Sequence, residues 1–204
     1  AGEAFGSNYE LPNMTAYNET CAAISMVYLF ERMFLLHGDS KYIDCLERTL
    51  YNGVISGMSM DGGRFFYPNP LSSDGKYAFN ADNNTTRQPW FGCACCPSNL
   101  CRFIPSVPGY LYGVKDNNIF VNLFAANVST IKVNGKDVIL EETTEYPWNG
   151  DIKITVKKSN AKNANLLIRI PGWARNQVVP SDLYQFADKE TPSYSVTVNG
   201  KAVE

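Results

Sequence analysis

The chain has 204 residues, 45% hydrophobic and 19% charged, with 18 Lys and Arg against 20 Asp and Glu for a formal charge of −2. These values suit one or two ordinary globular domains. The absence of a basic run argues against a nucleic-acid partner, and no apolar stretch of bilayer length or signal-type leader is evident.

The sequence opens on Ala1 rather than methionine, so it is read as an internal fragment of a longer protein. Aromatic residues reach 13%, which suits a sugar-binding cleft as well as ordinary core packing. The six cysteines are unevenly spaced, unlike a secreted disulfide framework. Cys45 and Cys101 fall on helical patterns and are expected as buried apolar thiols. Sequons at Asn13, Asn18, Asn83, Asn84 and Asn127 are read as chance in an Asn-rich chain.

In chain order, the first periodic segment runs from about Cys21 to Leu36, with Ile24, Val27, Tyr28, Phe30, Met33 and Phe34 forming a broad apolar helical face. A second helix is expected from about Lys41 to Gly57, N-capped by Ser40, with Ile43, Leu46, Leu50, Val54 and Ile55 at helical spacing. Residues 61–90 are rich in Gly, Pro, Asn and Ser and read as a long loop, with room for a short hairpin. A short helix is expected from Ser98 to Phe103, ended by Pro105.

Near Gly113 the period changes from helical to two. Strands are expected at 119–124, 151–156, 166–170 and 194–198, and a hairpin over 130–140 turns at Asn134-Gly135. The last strand meets another turn signal at Asn199-Gly200. The expected organisation is an α+β chain with a helical domain over 1–112 and a β-sandwich over 113–204.

The most chemically loaded stretch is Cys93-Ala94-Cys95-Cys96-Pro97-Ser98-Asn99. Adjacent cysteines are poorly placed to bridge each other. Thiolates suit a soft metal, and a thiolate is also a good carbon nucleophile. The single histidine, His37, sits at a helix end beside Gly38-Asp39, where a capping or solvated role fits better than ligation. Further metal ligands would come from Glu19-Thr20-Cys21, but residues two apart do not share a helix face. Both could bind one ion only if the backbone there is irregular or just entering the helix. At this level a mixed site, a four-cysteine structural site, reduced buried thiols and a redox pair all remain open.

The order of several motifs narrows the choice. Gly2-Glu3-Ala4-Phe5, Tyr9-Glu10-Leu11-Pro12-Asn13 and Tyr17-Asn18-Glu19-Thr20-Cys21-Ala22 are followed by Tyr67-Pro68-Asn69-Pro70-Leu71 and the cysteine cluster. Thr144-Glu145-Tyr146-Pro147-Trp148-Asn149-Gly150 and Arg169-Ile170-Pro171-Gly172-Trp173 complete the series. In this order they resemble the bacterial β-L-arabinofuranosidases of glycoside hydrolase family 127, over nearly the whole chain.

The resemblance implies the C-terminal part of an (α/α)₆ barrel followed by a β-sandwich. It implies a Zn²⁺ ion held by Glu19, Cys21, Cys95 and Cys96, with Cys95 also the nucleophile, Glu3 the general acid/base and Tyr67 a sugar contact. Cys93 receives no catalytic role and is expected as a packed thiol near the site. The implied reaction is retaining hydrolysis of a terminal furanoside in an arabinose-containing oligosaccharide or related glycan. Without upstream helices, the chain alone is expected to lack much of the cleft, to be inactive and to self-associate through exposed helix faces. Neither a membrane nor a nucleic acid is an expected partner, and either a bacterial cytoplasmic or a periplasmic location is compatible. The alternative is a non-enzymatic module in which structural zinc staples a sandwich that binds carbohydrate or a protein.

Overall fold

The computed structural model describes residues 2–4, 6–10, 12–188 and 192–203. Phe5 and Leu11, each within a motif quoted above, lie outside the described residues. The architecture is α+β and the chain divides into two compact units. One unit comprises residues 1–36 with 45–108, and the other comprises 37–44 with 109–204.

The first unit is built on helices α1 (Thr20–His37), α2 (Ser40–Thr49), whose later residues belong here, and α3 (Cys95–Phe103). α1 buries Ile24, Val27 and Phe34 on the stripe expected from its periodicity. Its Tyr28 ring meets Phe103 of α3 edge-on, with centroids 5.6 Å apart. At 18 residues and a mean hydropathy of 1.2, α1 has the length and apolarity of a membrane-crossing helix, where the sequence reading found no such run. The core helix of a folded domain meets the same criteria, and the buried stripe ties α1 into this unit.

The second helical segment changes winding along its length. α-Helical geometry ends at Thr49, a wider π turn covers Leu50–Val54, and a 3₁₀ turn covers Ile55–Gly57. Ser40 is not the N-cap; it is the first helical residue. The cap is Asp39, whose carboxylate accepts the Lys41 N–H at 3.0 Å. α3 begins at Cys95, three residues earlier than expected, and Pro105 does not halt the coil, which continues as 3₁₀ turns over Ile104–Tyr110. The 3₁₀ pattern tolerates proline at positions that a continued α-helix would reject. Cys45 is half-buried and Cys101 is exposed, so Cys101 does not share the burial expected of it. It faces outward from a helix whose buried side carries Cys96, Leu100 and Phe103.

The second unit contains two three-stranded sheets and a terminal hairpin. β1 (Tyr112–Lys115) pairs antiparallel with β2 (Asn118–Val121), and β6 (Asn165–Ile168) joins β2 in parallel. β3 (Asn127–Val133), β4 (Lys136–Thr144) and β5 (Ile152–Ser159) form an antiparallel meander. β7 (Val196–Val198) and β8 (Lys201–Val203) form the short hairpin. Asn134 and Gly135 adopt φ of 49° and 75°, the left-handed pair that a tight hairpin turn requires.

Ile119 of β2 packs with Ile131, Val133, Val138 and Leu140 of β3 and β4 in one apolar cluster. On β5, Ile152 and Ile154 are half-buried but Val156 is exposed. β5 is an edge strand and the ladder shifts register between Ile139 and Leu140, so its apolar face is only partly covered.

Two buried polar groups organise this unit. Arg169, 5% exposed, donates from Nε to the Asn122 carbonyl at 2.6 Å and pairs through Nη1 with Asp44 Oδ1 at 2.7 Å. The same Asp44 oxygen accepts the Gly172 N–H at 3.1 Å. The Arg-Ile-Pro-Gly-Trp segment is thereby anchored to Asp44 by charge-assisted bonds, and losing either partner would strand a charge.

The second group is Glu142 on β4, 2% exposed. It accepts from Tyr112 Oη at 3.2 Å and from the Ala125 N–H at 3.2 Å. Burial outweighs these bonds and pushes its carboxyl up to about 7.

A raised carboxyl pKa favours the folded state while the acid is protonated. That contribution is complete below pH 4.5, the unperturbed value, and is lost as pH rises through about 7. Stability from chemical denaturation should therefore fall by on the order of 2–3 kcal/mol between pH 4.5 and 8 from this group. Glu142→Gln should flatten that part of the profile. An unchanged slope in the variant would show that Glu142 does not account for it.

A candidate metal and catalytic site

The site forms where the entry to α1 pairs with the Tyr67-Pro68-Asn69 segment. Thr20 N–H donates to the Tyr67 carbonyl at 2.9 Å, Asn69 N–H donates to the Asn18 carbonyl at 2.8 Å, and Glu19 and Pro68 form an antiparallel bridge. Thr20 is fully buried, and its hydroxyl also reaches the Phe66 and Tyr67 carbonyls, each at 3.1 Å. A side chain at Gly57 would come within 2.6 Å of that hydroxyl, which accounts for glycine there. Glu19 is consequently extended while Cys21 already lies in the first turn of α1. This local break lets residues two apart aim at one point.

The other two donors come from the first turn of α3. Cys95 and Cys96 are its first two residues, where free backbone N–H groups and the positive end of the helix favour anionic sulfur. Glu19 Oε1 lies 3.4 Å from Cys96 Sγ and 3.9 Å from Cys95 Sγ, each thiol placed to donate to it. One ligand atom from each of Glu19, Cys21, Cys95 and Cys96 lies within 4.8 Å of all the others.

A tetrahedral ion with metal–sulfur bonds of about 2.3 Å spaces its ligands about 3.8 Å apart. The Glu19–cysteine separations therefore fit a four-coordinate metal without rebuilding. Three sulfurs and one carboxylate suit a borderline-soft ion. All six cysteines are free thiols, so none of the cluster is sequestered in a disulfide.

Burial pushes the Cys21 and Cys96 thiols up from their ordinary range. Hydrogen bonding from Asn99, one turn along α3 from Cys95, opposes this at Cys21. Cys21 and Cys96 are thereby held toward the neutral thiol until a cation compensates their charge.

Tyr67 is buried, and its hydroxyl shares a 2.7 Å hydrogen bond with Cys95 Sγ. That bond, then burial, drives its own pKa well above the usual tyrosine value. Phe91 braces the ring edge-on at 5.7 Å, and Asn80 Oδ1 accepts the Tyr67 backbone N–H at 2.8 Å.

Glu3 is exposed, in a turn where it takes the left-handed φ of 52°. Tyr17 lies against this turn, since a Cβ on Gly2 would fall 3.3 Å from its ring. Burial, with the charges of Glu19 and Glu3, pushes Tyr17 up to about 12. The His37 ring faces Tyr42 at 5.6 Å, and His37 is not among the four clustered ligand residues.

Beside Tyr67 lies an open cleft of about 200 Å³ lined by Tyr17, Phe79, Asp82, Phe91 and Cys93 among others. Cys93 is thus an exposed thiol on the cleft wall and not a packed one. Tyr17 and Asn99 stand in the quoted motifs without an expected role, and Asn80 and Asp82 carry no expectation from sequence. For Asn99 a signal existed, its position one turn beyond Cys95; the others depend on loop closure.

The geometry predicts one bound metal ion per chain. Titration with Co²⁺ should give intense thiolate-to-metal bands at one equivalent, with proton release and affinity rising with pH. Cys96→Ser should lose those bands. Wild-type protein without them at one equivalent would contradict the site.

Comparison with known proteins places this geometry. Residues 1–109 match the family model for the β-L-arabinofuranosidase GH127 catalytic domain, and residues 118–204 match the model for the GH127 middle domain. The non-reducing end β-L-arabinofuranosidase of Bifidobacterium longum subsp. longum is 35% identical over 98% of this chain and 29% of its own length. A solved GH127 β-arabinofuranosidase superposes with a TM-score of 0.92 at 59% identity, over 99% of this chain and 30% of that one. The GH127 β-L-arabinofuranosidase of Geobacillus stearothermophilus T6 gives 0.82 at 39% identity, over 98% and 29%. The chain thus spans about 30% of the length of these relatives. It belongs to the β-L-arabinofuranosidase family of glycoside hydrolases, GH127.

Proposed function

We propose that this chain carries the reacting groups of a retaining β-L-arabinofuranosidase acting on terminal furanosides of arabinose-containing glycans. In this reading it forms the last helices of an (α/α)₆ barrel and the β-sandwich that follows. The names of its relatives and the two consecutive family matches support it. The observation that carries it is the Tyr67–Cys95 contact at the edge of a sulfur–carboxylate cluster beside an open cleft.

Glu19, Cys21, Cys95 and Cys96 would hold the ion, and zinc is the natural choice for this donor set. Bound zinc keeps the sulfurs deprotonated at neutral pH. Most retaining glycosidases attack with a carboxylate about 5–5.5 Å from a second one. Here Cys95 Sγ takes the nucleophile's part, and the Tyr67 hydroxyl fixes the sulfur's direction.

Cys95 bonds to the anomeric carbon while Glu3 gives its proton to the departing oxygen. Glu3, now a carboxylate, takes a proton from water, and the hydroxide displaces the Cys95 sulfur. Two inversions leave the anomeric configuration retained.

Cys95→Ser in the full-length parent should cut kcat by at least about a thousandfold with the fold retained, since serine is a far weaker nucleophile, and a poorer metal ligand, at neutral pH. Unchanged turnover would contradict the reading. Glu3→Gln should slow substrates with poor leaving groups severely and activated aryl glycosides much less in the first step, because the latter need no proton. Equal losses for both in that step would remove Glu3 from the acid role.

A further inference from the structure

The cleft beside Tyr67 has a chemistry that the reacting groups do not use. Its walls are aromatic, with Tyr17, Phe79 and Phe91 facing one space. Among the residues that line it, Asp82 is the single carboxylate and none is basic. Anionic ligands are therefore disfavoured, while a neutral ring with apolar faces and hydroxyl edges is matched.

Asp82 sits in a sharply turned segment. It and Asn83 take left-handed φ values of 57° and 59° in succession, a conformation that Asp and Asn accept more readily than other side-chain-bearing residues. The turn is kept closed by Asn80, which is 3% exposed. Its Oδ1 accepts N–H groups from Tyr67 and Ala81, and its Nδ2 donates to the Thr86 carbonyl at 2.8 Å. Asn84 Nδ2 closes the other side by donating to the Ala81 and Asp82 carbonyls. One buried amide therefore ties the Asp82 turn to the backbone of the residue whose hydroxyl touches Cys95. These bonds fix the Asp82 turn relative to Tyr67, so the carboxylate lines the cleft at a set place.

We propose that Asp82 is a sugar-binding residue, accepting hydroxyl hydrogen bonds from a neutral glycan ring held between the aromatic walls of this cleft. The proposal rests on the glycosidase reading for the identity of the ligand. It assigns Asp82 no part in bond cleavage.

The test uses the full-length enzyme and a β-L-arabinofuranosyl disaccharide. Calorimetric binding in a Cys95→Ser background avoids turnover. Asp82→Ala should weaken Kd about 10- to 100-fold, the range for a lost hydrogen bond to a charged group. Asp82→Asn, which keeps an acceptor, should weaken it less. With Cys95 intact, the Asp82→Ala loss should appear in KM, with kcat within about threefold of the parent. Asp82→Asn should also relax discrimination against a disaccharide carrying a uronic acid, a charge effect that mere support of the loop would not produce.

A Kd within twofold of the parent in Asp82→Ala would overturn the proposal, as would unaltered uronate discrimination in Asp82→Asn. Retained turnover in Cys95→Ser would instead remove the catalytic reading, and the KM comparison with Cys95 intact would still decide the role of Asp82.

Discussion

The site depends on one short backbone pairing, between residues 18–20 and Tyr67-Pro68-Asn69. It holds Glu19 extended and lets the helix begin only at Thr20, so a carboxylate and a thiol two residues apart face the same point. The same pairing presents Tyr67 to Cys95. The fully buried Thr20 locks it, with Asn69 Nδ2 donating to the threonine hydroxyl at 2.9 Å. Removing this pairing would scatter the donors even if every helix survived, because no single helix carries both halves of the cluster.

Electrostatics explain why the cluster asks for a cation. Two of the three sulfurs are driven toward the neutral thiol by burial, and Glu19 adds negative charge beside them. Placement at the start of α3 favours anionic sulfur, but a helix end contributes only about half an elementary charge. That is too little to ionise several thiols in a partly buried space. A divalent ion would reverse the balance, so under the proposed mechanism activation of the Cys95 sulfur would depend on metal loading.

Much of this was legible in the sequence, for identifiable reasons. α1 and the strands from β2 to β7 follow from periodicity, and the Asn134-Gly135 turn from its left-handed requirement. The vicinal cysteines could be nominated because clustered thiols are rare and chemically specific, whereas the Glu-x-Cys pair took its role from the order of motifs that indicated the family. Where the signal ended, tertiary contacts had decided the outcome. The π and 3₁₀ windings after Thr49 leave the hydrophobic spacing nearly unchanged, so periodicity could not reveal them. Asp39 displaced Ser40 as cap because its carboxylate reaches the Lys41 N–H, a choice between two good capping residues. Tyr17, Asn80 and Asp82 gain their roles from loop closure over residues 61–90, where local sequence indicates only turns.

The central claim is that Cys95 becomes covalently bonded to the sugar. It is tested most directly by quenching the full-length enzyme in acid during turnover of a β-L-arabinofuranoside and mapping any pentosyl adduct by peptide mass spectrometry. The account predicts the adduct on the Cys95 sulfur, absent from Cys95→Ser. An adduct on a carboxylate in active enzyme would contradict it.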